Sequence, residues 1–111
     1  MRQIMITEYN IDILQKEDII IEFNIDQPLI SDDLFACVRK YPSEQNYLTA
    51  FEIDADTKEQ TATIKLKASS EHLSVGKYYY DVWIWVNNKP KKCILKGVIN
   101  VGEGVSNRGK L

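Results

Sequence analysis

Histidine occurs once in this 111-residue chain, cysteine twice, proline three times and glycine five times. Each scarcity excludes a class of chemistry. The lone His72 cannot build a Cys/His zinc site, and its neighbour Glu71 does not face it as a triad acid would. His72 is therefore expected to be a surface loop residue. Cys37 and Cys93 are far apart, with no close-spaced pair, so they form neither a disulfide framework nor half of a metal site. They are expected as small, partly buried apolar residues in a reducing compartment. A Cys37–Cys93 bridge between sheets is the alternative. No glycine-rich loop is present to cradle a phosphate.

Runs of one kind are equally sparse. No apolar stretch approaches the length of a membrane span, and Met1-Arg2-Gln3-Ile4 does not begin a signal peptide. The expectation is a product kept in a cytoplasm, or assembled there into something larger. Net charge is −2 with the signs interspersed, so no basic stripe marks a nucleic-acid surface. The short cluster Lys89-Pro90-Lys91-Lys92 reads as solvation of a hairpin. Glu52, Asp54, Asp56 and Glu59 gather at one turn, but the glycine and bidentate glutamate of a calcium loop are missing. They read as a solvated hairpin, and Asp32-Asp33 reads as turn chemistry. No metal, no cofactor and no catalytic residue set is expected.

What the chain does contain is alternation with a period of two. Ile19, Ile21, Phe23 and Ile25 alternate with Ile20, Glu22 and Asn24. Leu34, Ala36 and Val38 alternate with Phe35, Cys37 and Arg39, and the alternation alone does not choose the inward row. Phe51 and Ile53 stand opposite Glu52 and Asp54. Ala62, Ile64, Leu66 and Ala68 share one face, and Thr and Lys cover the other. One or two short strands are expected in Ile4–Ile13, before a turn at Lys16-Glu17-Asp18. A helical turn is expected over Ser69–Leu73, capped by Ser69 or Ser70.

The segment Leu73-Ser74-Val75-Gly76-Lys77-Tyr78 carries the spacing of a tyrosine corner. Gly76 permits the sharp turn, and the Tyr78 hydroxyl bonds back to the upstream backbone. Residues 77–86 then form what is expected to be the longest strand. Tyr78, Tyr80, Val82, Ile84 and Val86 lie on one face, and Tyr79, Asp81, Trp83 and Trp85 on the other. A turn at Asn87-Asn88-Lys89-Pro90 leads to a final strand with Cys93, Leu95, Ile99 and Val101 aligned. Gly97 breaks that row, which signals a bulge or a close backbone approach. These elements predict a single antiparallel, immunoglobulin-like β-sandwich of about seven strands over residues 1–102. Residues 103–111 form a Gly-rich, flexible C-terminal tail.

Two readings stand for Tyr79, Trp83 and Trp85. They are either covered as part of a core, or an outward aromatic stripe for protein contact.

Residues Ala36-Cys37-Val38-Arg39-Lys40, Leu48-Thr49-Ala50-Phe51, Leu73-x-x-Gly76-x-Tyr78-x-Tyr80-Asp81-Val82 and Leu95-x-Gly97-x-Ile99-x-Val101 occur in an ordered series. The Gly102–Ser106 exit follows them. This series resembles the immunoglobulin-like N-terminal domain of tailed-bacteriophage baseplate upper proteins and related minor tail proteins. The resemblance implies a non-catalytic virion subunit, assembled in the bacterial cytoplasm and bound to other virion proteins in a symmetric, multi-copy array. Nucleic acid and membrane are not implied as partners. The chain stops just beyond the closing strand, which suggests a small accessory protein of tail, baseplate or neck. The alternatives are a capsid decoration protein and a carbohydrate- or receptor-binding module with Trp83 and Trp85 stacking on sugar rings.

Overall fold

The computed structural model describes residues 7–106, which form nine strands and one short 3-10 turn. The strands are β1 (Thr7–Glu8), β2 (Ile11–Leu14), β3 (Ile19–Ile25), β4 (Leu34–Arg39), β5 (Thr49–Ala50), β6 (Glu52–Lys58), β7 (Thr61–Ala68), β8 (Gly76–Val86) and β9 (Lys89–Gly102). The first sheet runs β1-β9-β8-β4-β5, with β2 also paired to β9, and the second runs β3-β7-β6. The chain is a two-sheet β-sandwich.

The alternating rows identified in the sequence meet between the sheets. Ile19 and Ile21 of β3 and Ala62, Ile64, Leu66 and Ala68 of β7 face Ala36 and Val38 of β4 and Tyr78, Tyr80 and Val82 of β8. Apolar burial of this kind is the main favourable term in the fold, and truncating a side chain such as Ile64 to Ala costs about 2–5 kcal/mol. Phe51 lies between β5 in one sheet and β6 in the other. It is buried, its amide donates to the Ala36 carbonyl at 3.0 Å, and its ring meets Tyr80 edge-on at 6.0 Å. The crossover from β3 to β4 is tied to β6. Leu29 exchanges two hydrogen bonds with the Thr57 hydroxyl, at 3.0 and 2.6 Å, and Ser31 Oγ accepts from the Ala55 amide at 2.9 Å.

Several sequence expectations are corrected. The sandwich is not wholly antiparallel, because β1 and β2 pair with β9 in parallel. The longest strand is β9, with 14 residues against 11 for β8. The turn between them is only Asn87-Asn88; Lys89 and Pro90 already belong to β9. Both asparagines have positive φ, 53° and 62°, the geometry of a tight two-residue hairpin that asparagine tolerates. Val86, expected on the inward row, is exposed beside this turn.

Ser69–Leu73 forms a hydrogen-bonded turn, Leu73 N to Ser70 O at 2.9 Å, and not a helix. The buried Ser70 hydroxyl donates to the Glu17 carbonyl, which ties this loop to the turn after β2. The 3-10 turn is Ser31–Asp33.

The final strand holds the largest correction. The register of β8 on β9 shifts between Val82 and Trp83, leaving Ile94 as an extra residue. Ile94 therefore joins the core, and Cys93 pairs with Trp83 on the opposite face, out of line with Leu95, Ile99 and Val101. Gly97 is not the bulge. It is a close approach, with the Tyr9 backbone packed against its Cα.

At the loop before β8, Gly76 has φ +154°, a conformation disfavoured for other residues. The Tyr78 hydroxyl donates to the Ser74 carbonyl at 2.7 Å, Leu73 is buried, and Lys40 Nζ lies 4.5 Å from the Tyr78 ring centroid. Beyond β9, Gly104 is buried and Val105 is exposed. Residues 107–111 of the expected tail, and 1–6 of the N-terminal segment, lie outside the described residues.

Candidate interaction face

The two sheets present different outer faces. On the second sheet, Lys65 and Lys67 of β7 stand between Glu22 of β3 and Glu52 and Asp54 of β6 in cross-strand register. Opposite charges in register stabilise such a face in water. Lys67 also approaches Asp18 at 3.7 Å. This face is solvated throughout.

The outer face of the first sheet is aromatic and mixed. Because Tyr78, Tyr80, Val82 and Ile84 point inward, Tyr79, Asp81, Trp83 and Trp85 point outward, all half-buried. These side chains form the outward row and are not part of the core, and neighbours on the same face cover part of each. Phe35, directly opposite Trp83 on β4, packs edge-on against Trp85, with centroids 6.3 Å apart at 84°. Tyr47, from the loop after β4, packs edge-on against Phe35 at 5.9 Å and 65°. Phe35 and Tyr47 remain 37% and 49% exposed, and Tyr41 and Leu48 of the same loop are also exposed. Phe35, Tyr47 and Trp85 thus form one ring cluster that is partly open on this face.

The Trp85 indole Nε1 is buried and has no hydrogen-bond partner. Tyr79 carries Lys77 Nζ at 5.4 Å from its ring centroid.

The other half of this face is charged. Cross-strand register lines up Glu8, Lys96, Asp81 and Cys37 across β1, β9, β8 and β4. Lys96 Nζ lies 3.6 Å from Glu8. Arg39, opposite Tyr79, donates to Cys37 Sγ at 2.7 Å and to the Gln45 carbonyl at 3.2 Å. These residues wall an open pocket of about 350 Å³.

The two cysteines are free, and both lie on the first sheet. A bridge between sheets is therefore not formed. With β8 between β4 and β9, the strands carrying them are about 9–10 Å apart, beyond disulfide reach. Burial pushes both thiols above their ordinary value, and Asp81 pushes the same way. A buried, protonated thiol is a poor nucleophile. Burial likewise holds the Tyr80 hydroxyl well above its ordinary range, with Tyr9 adding to the effect. That hydroxyl donates to the Tyr9 carbonyl at 2.6 Å.

His72 is exposed in the loop before β8. Glu52, Asp54, Asp56 and Glu59 are exposed along β6 and its turn, and Asp32-Asp33 sit in the 3-10 turn. Among the described residues no group of three or more His, Cys, Asp or Glu side chains is placed to hold a metal ion. No described helix is long and apolar enough to cross a membrane.

Phe35, Tyr47 and the charged row were not singled out from the sequence. Phe35 had a signal in its alternation with Leu34 and Ala36, but its meeting with Tyr47 depends on the loop path. The charged row depends on cross-strand register. No protein-family model, curated protein or solved structure matches the chain.

Proposed function

We propose that this protein is a non-catalytic structural subunit of a tailed-bacteriophage virion, joined to neighbouring virion proteins through the outer face of the first sheet. The observation that carries the binding role is the Phe35–Tyr47–Trp85 ring cluster, half-open to solvent and backed by the rigid β4–β8–β9 sheet. Aromatic side chains on a rigid support are the usual anchors of protein interfaces. The outer face of the second sheet, with its charges paired in register, offers no comparable anchor.

The virion assignment rests on the ordered residue series described from the sequence. An immunoglobulin-like sandwich is supported by the sheet order β9-β8-β4 against β3-β7-β6. A tyrosine corner is supported by the Tyr78-to-Ser74 hydrogen bond, with Gly76 at the turn and Leu73 buried beneath it. Repetition by symmetry lets a modest patch hold a subunit firmly, since each added contact is intramolecular once the array has formed.

The test is mass spectrometry of purified particles whose genome encodes the chain, with heads and tails fractionated. The expected result is the chain in the tail fraction, lost from particles when Phe35 and Trp85 are both changed to Ala in a folded variant. Recovery with heads would favour capsid decoration, and absence from particles would overturn the proposal.

A further inference from the structure

Asp81 is the one member of the charged row left without a bond. Lys96 stands directly opposite it in register but directs its ammonium to Glu8. Arg39 is engaged with Cys37 Sγ and the Gln45 carbonyl. Among the described residues, Asp81 has no hydrogen bond, and no cation lies within 4 Å of its carboxylate. The side chain is nevertheless half-buried, at the wall of the pocket, between the side chains of Tyr79 and Trp83 on the same strand face. A carboxylate drawn partly out of water without a partner is an unsatisfied charge.

We infer that the pocket at Asp81 binds a lysine side chain presented by the protein that docks on this face. The charges already present select that chemistry. Lys96 is paired with Glu8, and Arg39 is turned to Cys37 Sγ and the Gln45 carbonyl, so Asp81 is the one carboxylate of the pocket without a bonded cation. A compact ammonium on a four-carbon stem can reach it along the open pocket, with its methylenes against Tyr79. The inference rests on the outer face of the first sheet being the docking surface, but it uses residues other than the ring cluster.

The experiment is an amide chemical-shift titration of the full chain with Nα-acetyl-lysine amide. It is run at about 10 mM ionic strength, where exposed charges are weakly screened. Saturable shifts are expected, centred on residues 79–83 and 95–98. Asp81→Asn, which keeps size and shape, weakens binding about tenfold or more. Lys96→Met tightens it, because a repelling cation is removed. Nα,Nε-diacetyl-lysine amide, which carries no charge, gives no saturable shift.

Non-saturable shifts, equal binding of the diacetylated probe, or binding unchanged in Asp81→Asn would each overturn the inference. A Phe35→Ala variant that still binds the lysine probe but is incorporated into particles like wild type would count against the ring cluster alone. The two proposals therefore fail separately.

Discussion

The carbonyl of Tyr9 lies directly over the Cα of Gly97. A Cβ at position 97 would overlap the Tyr9 oxygen, lie 2.7 Å from its carbon, and crowd Tyr80 Cε1 at 2.9 Å. The Tyr80 hydroxyl accounts for the closeness, because it rises from the core to donate to that same carbonyl. Gly97→Ala is therefore expected to push the N-terminal strands off β9. It should lower stability by about 3 kcal/mol, the upper end for overpacking, because backbone and not a flexible side chain must move. Hydrogen exchange should show lost protection across residues 7–14, and unchanged protection would contradict the close approach.

Tyr78 and Tyr80 each spend a buried hydroxyl on a backbone carbonyl, at Ser74 and Tyr9 respectively. Removing either hydroxyl should cost about 1–2 kcal/mol in a denaturant series. The two losses should add within about 0.5 kcal/mol, since they fasten different loops. A Tyr78→Phe midpoint equal to wild type would remove the case for a tyrosine corner.

Alkaline pH should unfold the protein through Tyr80, Cys37 and Cys93. All three have raised pKa values in the folded chain. The unfolded chain therefore loses these protons first, and stability falls as pH rises past the ordinary cysteine and tyrosine values of 9.0 and 10.0. Each group contributes a slope of up to about 1.4 kcal/mol per pH unit once its unfolded form is ionised. Between pH 10 and 11, Tyr80→Phe should flatten the fall of the urea midpoint. In the same spirit, both thiols should react slowly with an aromatic disulfide reagent until denaturant is added.

Trp85 separates folding from binding. Its indole nitrogen is buried without an acceptor, so Trp85→Phe should leave stability within about 0.5 kcal/mol of wild type or raise it. Trp85→Ala removes the edge contact with Phe35 and is expected to weaken particle incorporation more than it lowers the unfolding midpoint. Unfolding of the isolated Trp85→Ala variant would show that the ring supports the domain itself.

Much of this fold was legible because alternation directly reports a half-buried strand. The rows Ile19–Ile25 and Ala62–Ala68 needed nothing beyond their own residues. What escaped depends on relations between strands. A single extra residue, Ile94, turned Cys93 from the core row to the outer face, and no local pattern in Lys91–Leu95 announces it. Parallel pairing of Thr7 with Leu95 leaves no turn signature, since those residues are far apart in the chain. At the interaction face, Tyr79, Trp83 and Trp85 were visible as a stripe. Their partners Phe35 and Tyr47, and the row from Glu8 to Cys37, became visible only with the register known.

The parallel pairing of the first and last strands also has a mechanical side. Thr7 pairs near the start of β9's inner run, at Leu95, and Leu14 pairs at its end, at Gly102. The first two strands thus run alongside the second half of β9 in the same direction, from Leu95 to Gly102. Tension between residues 7 and 102 would load their hydrogen bonds together, in shear, rather than peeling them one by one. Pull along β9 therefore meets more resistance than pull across it.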